Sequence, residues 1–174
     1  KPFYSISAVS AFNNENIVTS RNMQIKFTAP EAKILIVDDN ALNLKVAAGL
    51  MKPYRMRLFT AESGARAIEM LRAEKFDIVF MDHMMPEMDG VETTKIIRNQ
   101  SGEYFRSLPI IALTANAVNG AREMFISSGM NDFLAKPIEV EVLDKMLRNY
   151  LPKRYIKTAE PQKEAAERKK EVLV

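Results

Sequence analysis

Five side chains of this 174-residue chain have the types and the spacing that phosphoryl-group chemistry requires. Each of them stands at or just after the end of a short apolar run: Asp38, Asp39, Asp82, Thr114 and Lys136. Clustered carboxylates repel one another unless a cation lies among them, and hard divalent ions such as Mg²⁺ prefer oxygen ligands. A hydroxyl and an ammonium group beside such an ion would hold the oxygens of an incoming phosphoryl group. The predicted chemistry is therefore phosphoryl transfer to an aspartate.

The elements that must position these side chains alternate between strands and helices. Apolar runs predict five strands, at 33–37, 55–60, 77–81, 109–113 and 132–135. Helical periodicity predicts helices at 41–51, 63–73, 90–99, 119–128 and 139–150. This alternation predicts an α/β fold with a doubly wound, five-stranded parallel sheet. Ligands bind such sheets outside the carboxyl ends of the strands, which is where the five side chains lie.

Each of these residues also has a simpler structural explanation. An aspartate at a strand end commonly caps the next helix, threonine is common in strands, and lysine is commonly solvated. The convergence of all five on one edge of a single predicted sheet favours the chemical interpretation.

Four segments around these residues carry a family resemblance. They are Ile34–Asn40 (ILIVDDN), Phe80–Gly90 (FMDHMMPEMDG), Ile111–Ala117 (IALTANA) and Asp132–Ile138 (DFLAKPI). In this order they resemble the receiver domain of two-component response regulators, over about residues 32–151. The resemblance implies a flavodoxin-like (βα)5 receiver fold, and a signalling switch that takes a phosphoryl group from a phosphohistidine.

The resemblance also implies an acceptor and a set of metal ligands. Asp82 would be the phospho-acceptor. Asp39 would ligate Mg²⁺ directly, and Asp38 would assist, commonly through water. Asp82 and the backbone carbonyl of Met84 would complete the protein ligands.

Further residues would bind the phosphoryl group or respond to it, again by resemblance. Thr114 would hydrogen-bond the group and move on activation, while Lys136 would pair with it. The small Ala115 leaves the pocket open. Phe133 occupies the position of the switch aromatic, whose ring turns inward as the threonine moves. The peptide bond before Pro137 is cis in similar proteins, which would aim the lysine.

The segment after Asp82 predicts a tight loop at the rim of the pocket. Pro86 restricts its own backbone, and Gly90 is free to adopt a positive φ. His83, the one histidine of the chain, adjoins the acceptor but lacks the helical context of a phosphohistidine. We therefore interpret His83 as a rim residue.

Three parts are expected along the chain: a linker at 1–31, a receiver domain at 32–151 and a charged tail at 152–174. Because the chain begins with Lys1 rather than Met, we expect a fragment or a processed product. Residues 1–12 begin with a Lys-Pro dipeptide followed by spaced apolar residues. This pattern is similar to Lys136-Pro137 and the predicted helix that follows it. They are either part of the linker, with a chance Lys-Pro pair, or the last helix of a preceding receiver-like domain.

Composition excludes several kinds of site. The chain has no cysteine, which excludes disulfides and thiolate metal sites. The net charge of +3 arises in the tail, which holds seven Lys or Arg and four Glu, so residues 1–151 are neutral. We therefore expect no nucleic-acid binding by this chain. No apolar run approaches the roughly 20 residues of a membrane-spanning helix, so we expect no membrane contact. The expected location is cytoplasmic, with tethering to a membrane sensor in the full-length protein.

The segments Asp39–Lys45 and Met81–Gly90 are most similar to receivers fused to the C-terminus of bacterial hybrid sensor histidine kinases. The expected partners are a histidine kinase or a histidine phosphotransfer domain, and a second copy bound through the last two strand-helix units. The kinase core is absent from the sequence, so at most self-phosphotransfer and autodephosphorylation are expected. Two alternatives stay open: a Mg²⁺-dependent phosphatase or phosphotransferase with an aspartyl-phosphate intermediate, and a docking module that is not phosphorylated.

Overall fold

A computed structural model describes residues 25–159 of the chain. The strands are β1 (Phe27–Thr28), β2 (Lys33–Val37), β3 (Arg57–Ala61), β4 (Ile78–Asp82), β5 (Ile110–Thr114), β6 (Asp132–Ala135) and β7 (Lys157–Thr158). The α-helices are α1 (Ala41–Met51), α2 (Gly64–Ala73), α3 (Gly90–Arg98), α4 (Glu103–Ser107), α5 (Ala121–Ser127) and α6 (Val140–Tyr150). Short 3-10 turns occupy Lys52–Tyr54 and Lys153–Tyr155. No helix in this part of the chain is long and apolar enough to span a membrane.

Strands β2 to β6 form one parallel sheet in the order β3-β2-β4-β5-β6. This confirms the predicted doubly wound, five-stranded fold. Strands β2 and β6 have the predicted bounds, whereas the other three end one residue later than predicted. The difference makes Asp82 and Thr114 the last residues of their strands. The order reverses between β2 and β4, which is the ligand-binding position of such sheets.

Apolar layers cover both faces of the sheet. Successive side chains of a strand point to opposite faces, so Ile34 and Ile36 pack toward α1 and α6. Leu35 and Val37 pack on the other face, with residues of α2, α3 and α5. Strands β4 and β5 are buried along their whole length, which explains their nearly continuous apolar sequence.

A two-stranded ribbon extends the fold on both sides of the predicted receiver segment. Strand β1 pairs antiparallel with β7, with Phe27 opposite Thr158. The Phe27 ring is buried, 4.9 Å from the ring of Tyr54, and the Arg148 guanidinium lies 4.6 Å from its centroid. Residues outside 32–151 therefore contribute to the core.

The ribbon strands and the short helix α4 were not predicted, because two to five residues are too few to show a periodicity. The interpretation of residues 1–12 as a helix lies outside the described residues, as does the tail beyond Ala159.

Candidate functional site

Three carboxylates meet at the point where the strand order reverses. Asp38 and Asp39 follow β2, and Asp82 ends β4. One oxygen of each lies within 4.8 Å of the others. Asp38 and Asp82 are buried, whereas Asp39 is exposed. The fold thus brings Asp82 next to Asp38 and Asp39, although it lies more than 40 positions away from them in sequence.

Lys136 reaches this cluster from the end of β6. Its Nζ donates to Oδ2 of Asp38 at 2.7 Å and to Oδ1 of Asp82 at 3.0 Å. The peptide bond between Lys136 and Pro137 is cis. Three carboxylates and one ammonium group leave two negative charges uncompensated at the cluster. This charge and the oxygen donors suit a hard divalent cation.

Protein donors already occupy both oxygens of Asp38. Oδ1 accepts hydrogen bonds from the Asn40 backbone N–H at 2.9 Å and from Nδ2 of Asn43 at 3.2 Å. Oδ2 accepts the bond from Lys136. Asp38 therefore has little free coordination capacity, which fits an assisting role. Asn43 was not predicted as a site residue, because an asparagine in the first turn of a helix gives no signal of its contact.

Asp39 and Asp82 have carboxylate oxygens that are free to coordinate an ion. Within residues 25–159 no hydrogen-bond donor reaches Oδ2 of Asp82, and none reaches the carboxylate of Asp39. These two groups are therefore the better candidates for direct ligands.

Burial and hydrogen bonding shift the pKa values of the central pair. Burial raises the pKa of the Asp82 carboxyl, and the hydrogen bond from Lys136 only partly opposes it. Burial alone would lower the pKa of Lys136, but the hydrogen bonds to Asp38 and Asp82 outweigh it and raise that pKa. Lys136 is therefore a permanent positive charge at neutral pH.

Thr114 lies at the same sheet edge but outside the carboxylate–ammonium network. Its buried hydroxyl accepts a hydrogen bond from the Asn116 backbone N–H at 3.1 Å and donates one to the Asn116 carbonyl at 3.3 Å. The neighbouring Ala115 is exposed. The Thr114 hydroxyl is thus held by its own loop, a contact that the sequence did not reveal.

Aromatic rings form a row beside the acceptor segment. The His83 ring lies edge-to-face on the ring of Phe125, with centroids 5.0 Å apart and planes at 88°. Phe125 is fully buried in α5, and its centroid lies 5.9 Å from that of the half-buried Phe133. Phe125 was not predicted as a site residue, because its helical spacing indicates only a core position.

The loop from His83 to Asp89 differs in one respect from its sequence-based interpretation. Gly90 begins α3 with an ordinary φ, and the positive φ in this loop occurs at Glu87, at 67°. Gly90 is required for another reason, because a Cβ there would lie 2.3 Å from the carbonyl oxygen of Asp82. The Met84 side chain, between these points, is 73% exposed.

Comparison with known proteins agrees with this geometry. The family described as "Response regulator receiver domain" matches residues 34–148. The signal transduction histidine-protein kinase BarA of Shigella flexneri is 38% identical over 119 residues, which are 68% of this chain and 13% of BarA. Histidine kinase 3 of Arabidopsis thaliana is 40% identical over 130 residues, covering 64% of this chain and 12% of that kinase. The chain thus spans about an eighth of the length of these curated relatives.

Solved structures show the same fold. The receiver domain of a sensor histidine kinase from Pseudomonas aeruginosa is 37% identical, with a TM-score of 0.63 over 69% of this chain and 97% of that one. That structure has a magnesium ion coordinated in its active-site cleft. Chemotaxis protein CheY4 of Vibrio cholerae has a TM-score of 0.64 at 29% identity, over 70% of this chain and 99% of that one. Family match, relatives and fold agree, and the chain belongs to the response regulator receiver domains, the phosphorelay acceptor domains of two-component systems.

Proposed function

We propose that Asp82 accepts a phosphoryl group from a phosphohistidine. The observation that carries this proposal is the asymmetry of its carboxylate: Lys136 holds Oδ1, while no donor among the described residues reaches Oδ2. In the reaction, a carboxylate oxygen attacks phosphorus and forms a P–O bond as the P–N bond to the donor imidazole breaks. The electron pair of that bond stays on the imidazole nitrogen, and the other ring nitrogen of the donor carries a proton, so the donor leaves as a neutral histidine.

Asp39, Asp82 and the backbone carbonyl of Met84 would hold a Mg²⁺ ion, with Asp38 assisting through water. The two uncompensated negative charges of the cluster support this assignment. When bound, the ion offsets the negative charge of the phosphoryl oxygens.

The remaining site residues would respond to the new phosphoryl group. The Lys136 ammonium pairs with its oxygens, and the exposed Ala115 leaves room for them. Thr114 exchanges its bonds to Asn116 for a hydrogen bond to the phosphoryl group. Phe133 then turns inward, and the surface formed by α5, β6 and α6 changes.

The donor would dock on an apolar groove beside the acceptor. The groove has a volume of about 450 Å³ and lies between α1 and the segment that leads into α6. Val46, Leu50 and Ile138 line it, and Asp38 and Lys136 stand at its polar end. Exposed apolar side chains of α1 continue this surface: Leu42 is 67% and Val46 54% exposed. A histidine phosphotransfer domain or a histidine kinase bound here would hold its histidine near Asp82.

Three wider assignments belong to the same proposal. The chain is a receiver part of a hybrid histidine kinase, as its curated relatives are histidine kinases of about eight times the matched length. The receiver segment occupies 32–151 and is completed by the ribbon of β1 and β7. It lies on the cytoplasmic side of the membrane. A second copy binds through α5, β6 and α6, where Ile126 and Val142 are about 40% exposed.

Intact-mass analysis after incubation with acetyl phosphate tests the acceptor assignment. We expect one added phosphoryl group that requires both Mg²⁺ and Asp82, and no adduct on Asp82→Asn. Asp77→Asn is the matched control, because Asp77 precedes the same strand at its opposite end and binds the Lys33 backbone N–H. An adduct on Asp82→Asn equal to that of the unsubstituted protein, or none on the latter, contradicts the proposal.

A further inference from the structure

The ring of His83 makes a direct side-chain contact between residues 82–84 and helix α5. It meets Phe125 edge-to-face at 5.0 Å, an arrangement that aromatic rings favour. Within residues 25–159 neither imidazole nitrogen takes part in a hydrogen bond, although the ring is half-buried. The described contacts of the His83 side chain are therefore packing contacts, and none of them is a hydrogen bond of the imidazole nitrogens.

The backbone of His83 is held from two sides. Its N–H donates to the carbonyl of Leu113 in β5 at 2.9 Å, and its carbonyl accepts from the N–H of Gly90 at 3.0 Å. Its chain neighbours are Asp82, the proposed acceptor, and Met84, whose carbonyl is a proposed metal ligand. A restraint on the His83 ring therefore restrains the groups on both sides of it.

We propose that His83 is a positioning residue for the acceptor site and that it acts through its ring. Phe125 holds the ring, and the ring fixes the segment that presents Asp82 and the Met84 carbonyl. This inference rests on the proposed function. It adds a connection from the site to α5 that does not pass through Thr114, whose hydroxyl bonds to Asn116 instead. Because coupling is reciprocal, the packing of α5 and occupancy of the site affect each other equally.

Binding of beryllofluoride, a stable mimic of the acyl phosphate, tests the inference in the presence of saturating Mg²⁺. We expect His83→Ala to weaken beryllofluoride binding roughly fivefold, since it removes one aromatic pair. Phe125→Leu should weaken it similarly. The double variant should bind no more weakly than Phe125→Leu alone, because that substitution already removes the contact that His83→Ala would break. His83→Phe keeps a ring and lacks the nitrogens, so it should restore the affinity.

A second ring pair supplies the control for simple loss of stability. Phe59 and Phe76 also meet edge-to-face, at 5.3 Å and 85°, and Phe76 lies before β4, at the end opposite Asp82. We expect Phe59→Ala to lower the melting temperature and to leave beryllofluoride affinity unchanged. Equal weakening by Phe59→Ala, additive effects of the two site variants, or failure of His83→Phe to restore binding would each overturn the inference.

The outcomes separate this inference from the proposed function. Normal binding by the unsubstituted protein and by His83→Ala contradicts the positioning role alone. An unsubstituted protein that binds no beryllofluoride contradicts the acceptor role of Asp82, and the positioning role with it.

Discussion

The ammonium group of Lys136 lies 2.7 Å from Oδ2 of Asp38, although 98 positions separate the two residues in sequence. The contact joins the end of β6 to the end of β2 across the carboxyl edge of the sheet. The same ammonium group also binds Asp82. One cation is thus shared by two buried carboxylates, which would otherwise repel each other at low dielectric.

Replacement of this cation should separate metal binding from phosphoryl transfer. In Lys136→Met we expect Mg²⁺ to bind about fivefold more tightly, because a like charge leaves the cluster. Labelling by acetyl phosphate should fall about 100-fold, because a donor to the phosphoryl oxygens is lost. Calorimetry and intact-mass kinetics measure the two effects. Lys145→Met, at an exposed position of α6, should change neither; weaker Mg²⁺ binding by Lys136→Met would contradict the assignment.

Gly90 should tolerate no side chain. In Gly90→Ala the added Cβ would meet the Asp82 carbonyl oxygen at 2.3 Å, so the end of β4 must shift. We expect the free energy of unfolding to fall by about 1–3 kcal/mol and labelling of Asp82 to slow. The control is Gly49→Ala in α1, where a Cβ meets nothing within 4 Å and should stabilise by about 0.5–1 kcal/mol. Urea unfolding of both variants checks this, and equal stability of the two would show the close approach to be unimportant.

Met84 should control the lifetime of the phosphorylated form. Only its carbonyl would ligate the metal, and its side chain is 73% exposed, free to screen the acyl phosphate from water. We expect Met84→Asn or Met84→Lys to change the dephosphorylation rate more than the Mg²⁺ affinity. Decay of the phosphorylated mass after removal of acetyl phosphate measures the rate, with Met124→Asn on α5 as the control. An unchanged decay together with altered Mg²⁺ affinity would refute this role.

Alkaline pH should destabilise the fold through Tyr54. Burial, reinforced by the carboxylate of Asp144, raises the pKa of the Tyr54 phenol above its ordinary value of 10.0. Since the folded pKa exceeds the unfolded one, this stabilisation is complete below about pH 10 and declines as the pH rises further. Tyr54→Phe should therefore flatten the dependence of unfolding free energy on pH above pH 10.

The same variant should have a small cost at neutral pH. It loses the 3.3 Å hydrogen bond from the Tyr54 hydroxyl to Asp144, which contributes about 1 kcal/mol. Denaturant unfolding from pH 7 to 11 measures both effects. An equally steep decline in Tyr54→Phe would assign the alkaline sensitivity to other groups.

Phe27 should matter for stability and not for the acceptor chemistry. Its ring is buried beneath Arg148 and against Tyr54, at the end of the fold away from Asp82. We expect Phe27→Ala to reduce the free energy of unfolding by about 3–5 kcal/mol, while the folded fraction is still labelled at the usual rate. Lys26→Ala, at the exposed neighbouring position, is the control, and we expect it to change the free energy of unfolding little. Unchanged stability of Phe27→Ala would show that the ribbon is dispensable.

Local sequence patterns account for the parts of the fold that could be predicted. Buried parallel strands require continuous apolar runs, so β2, β4 and β5 are visible as runs around Ile34, Ile78 and Ile110. Their ends are visible to within one residue, since a charged or polar residue lies at or just after the end of each run. The sheet type then implies that residues at these ends lie on one edge.

Contacts between distant segments could not be read in this way. An apolar residue such as Phe27 or Phe125 is typical of any core. Its position in the sequence does not reveal which ring it contacts. The same holds for the hydroxyl of Thr114, which the chain's own loop holds through Asn116. Gly90 was expected to allow a positive φ, but it is required because the backbone of Asp82 lies close to it. That close approach depends on how α3 packs against β4.

The sequence by itself determined the five strands of the parallel sheet, the five longer helices and the residues at the carboxyl edge, since these follow from local patterns of burial and charge. Only the tertiary structure decided that Lys136 joins Asp38 to Asp82, that His83 packs on Phe125, and that β1 pairs with β7. The physical reason is that such contacts depend on the crossing of segments far apart in the chain, and their geometry exists only once the sheet and both helical layers are packed.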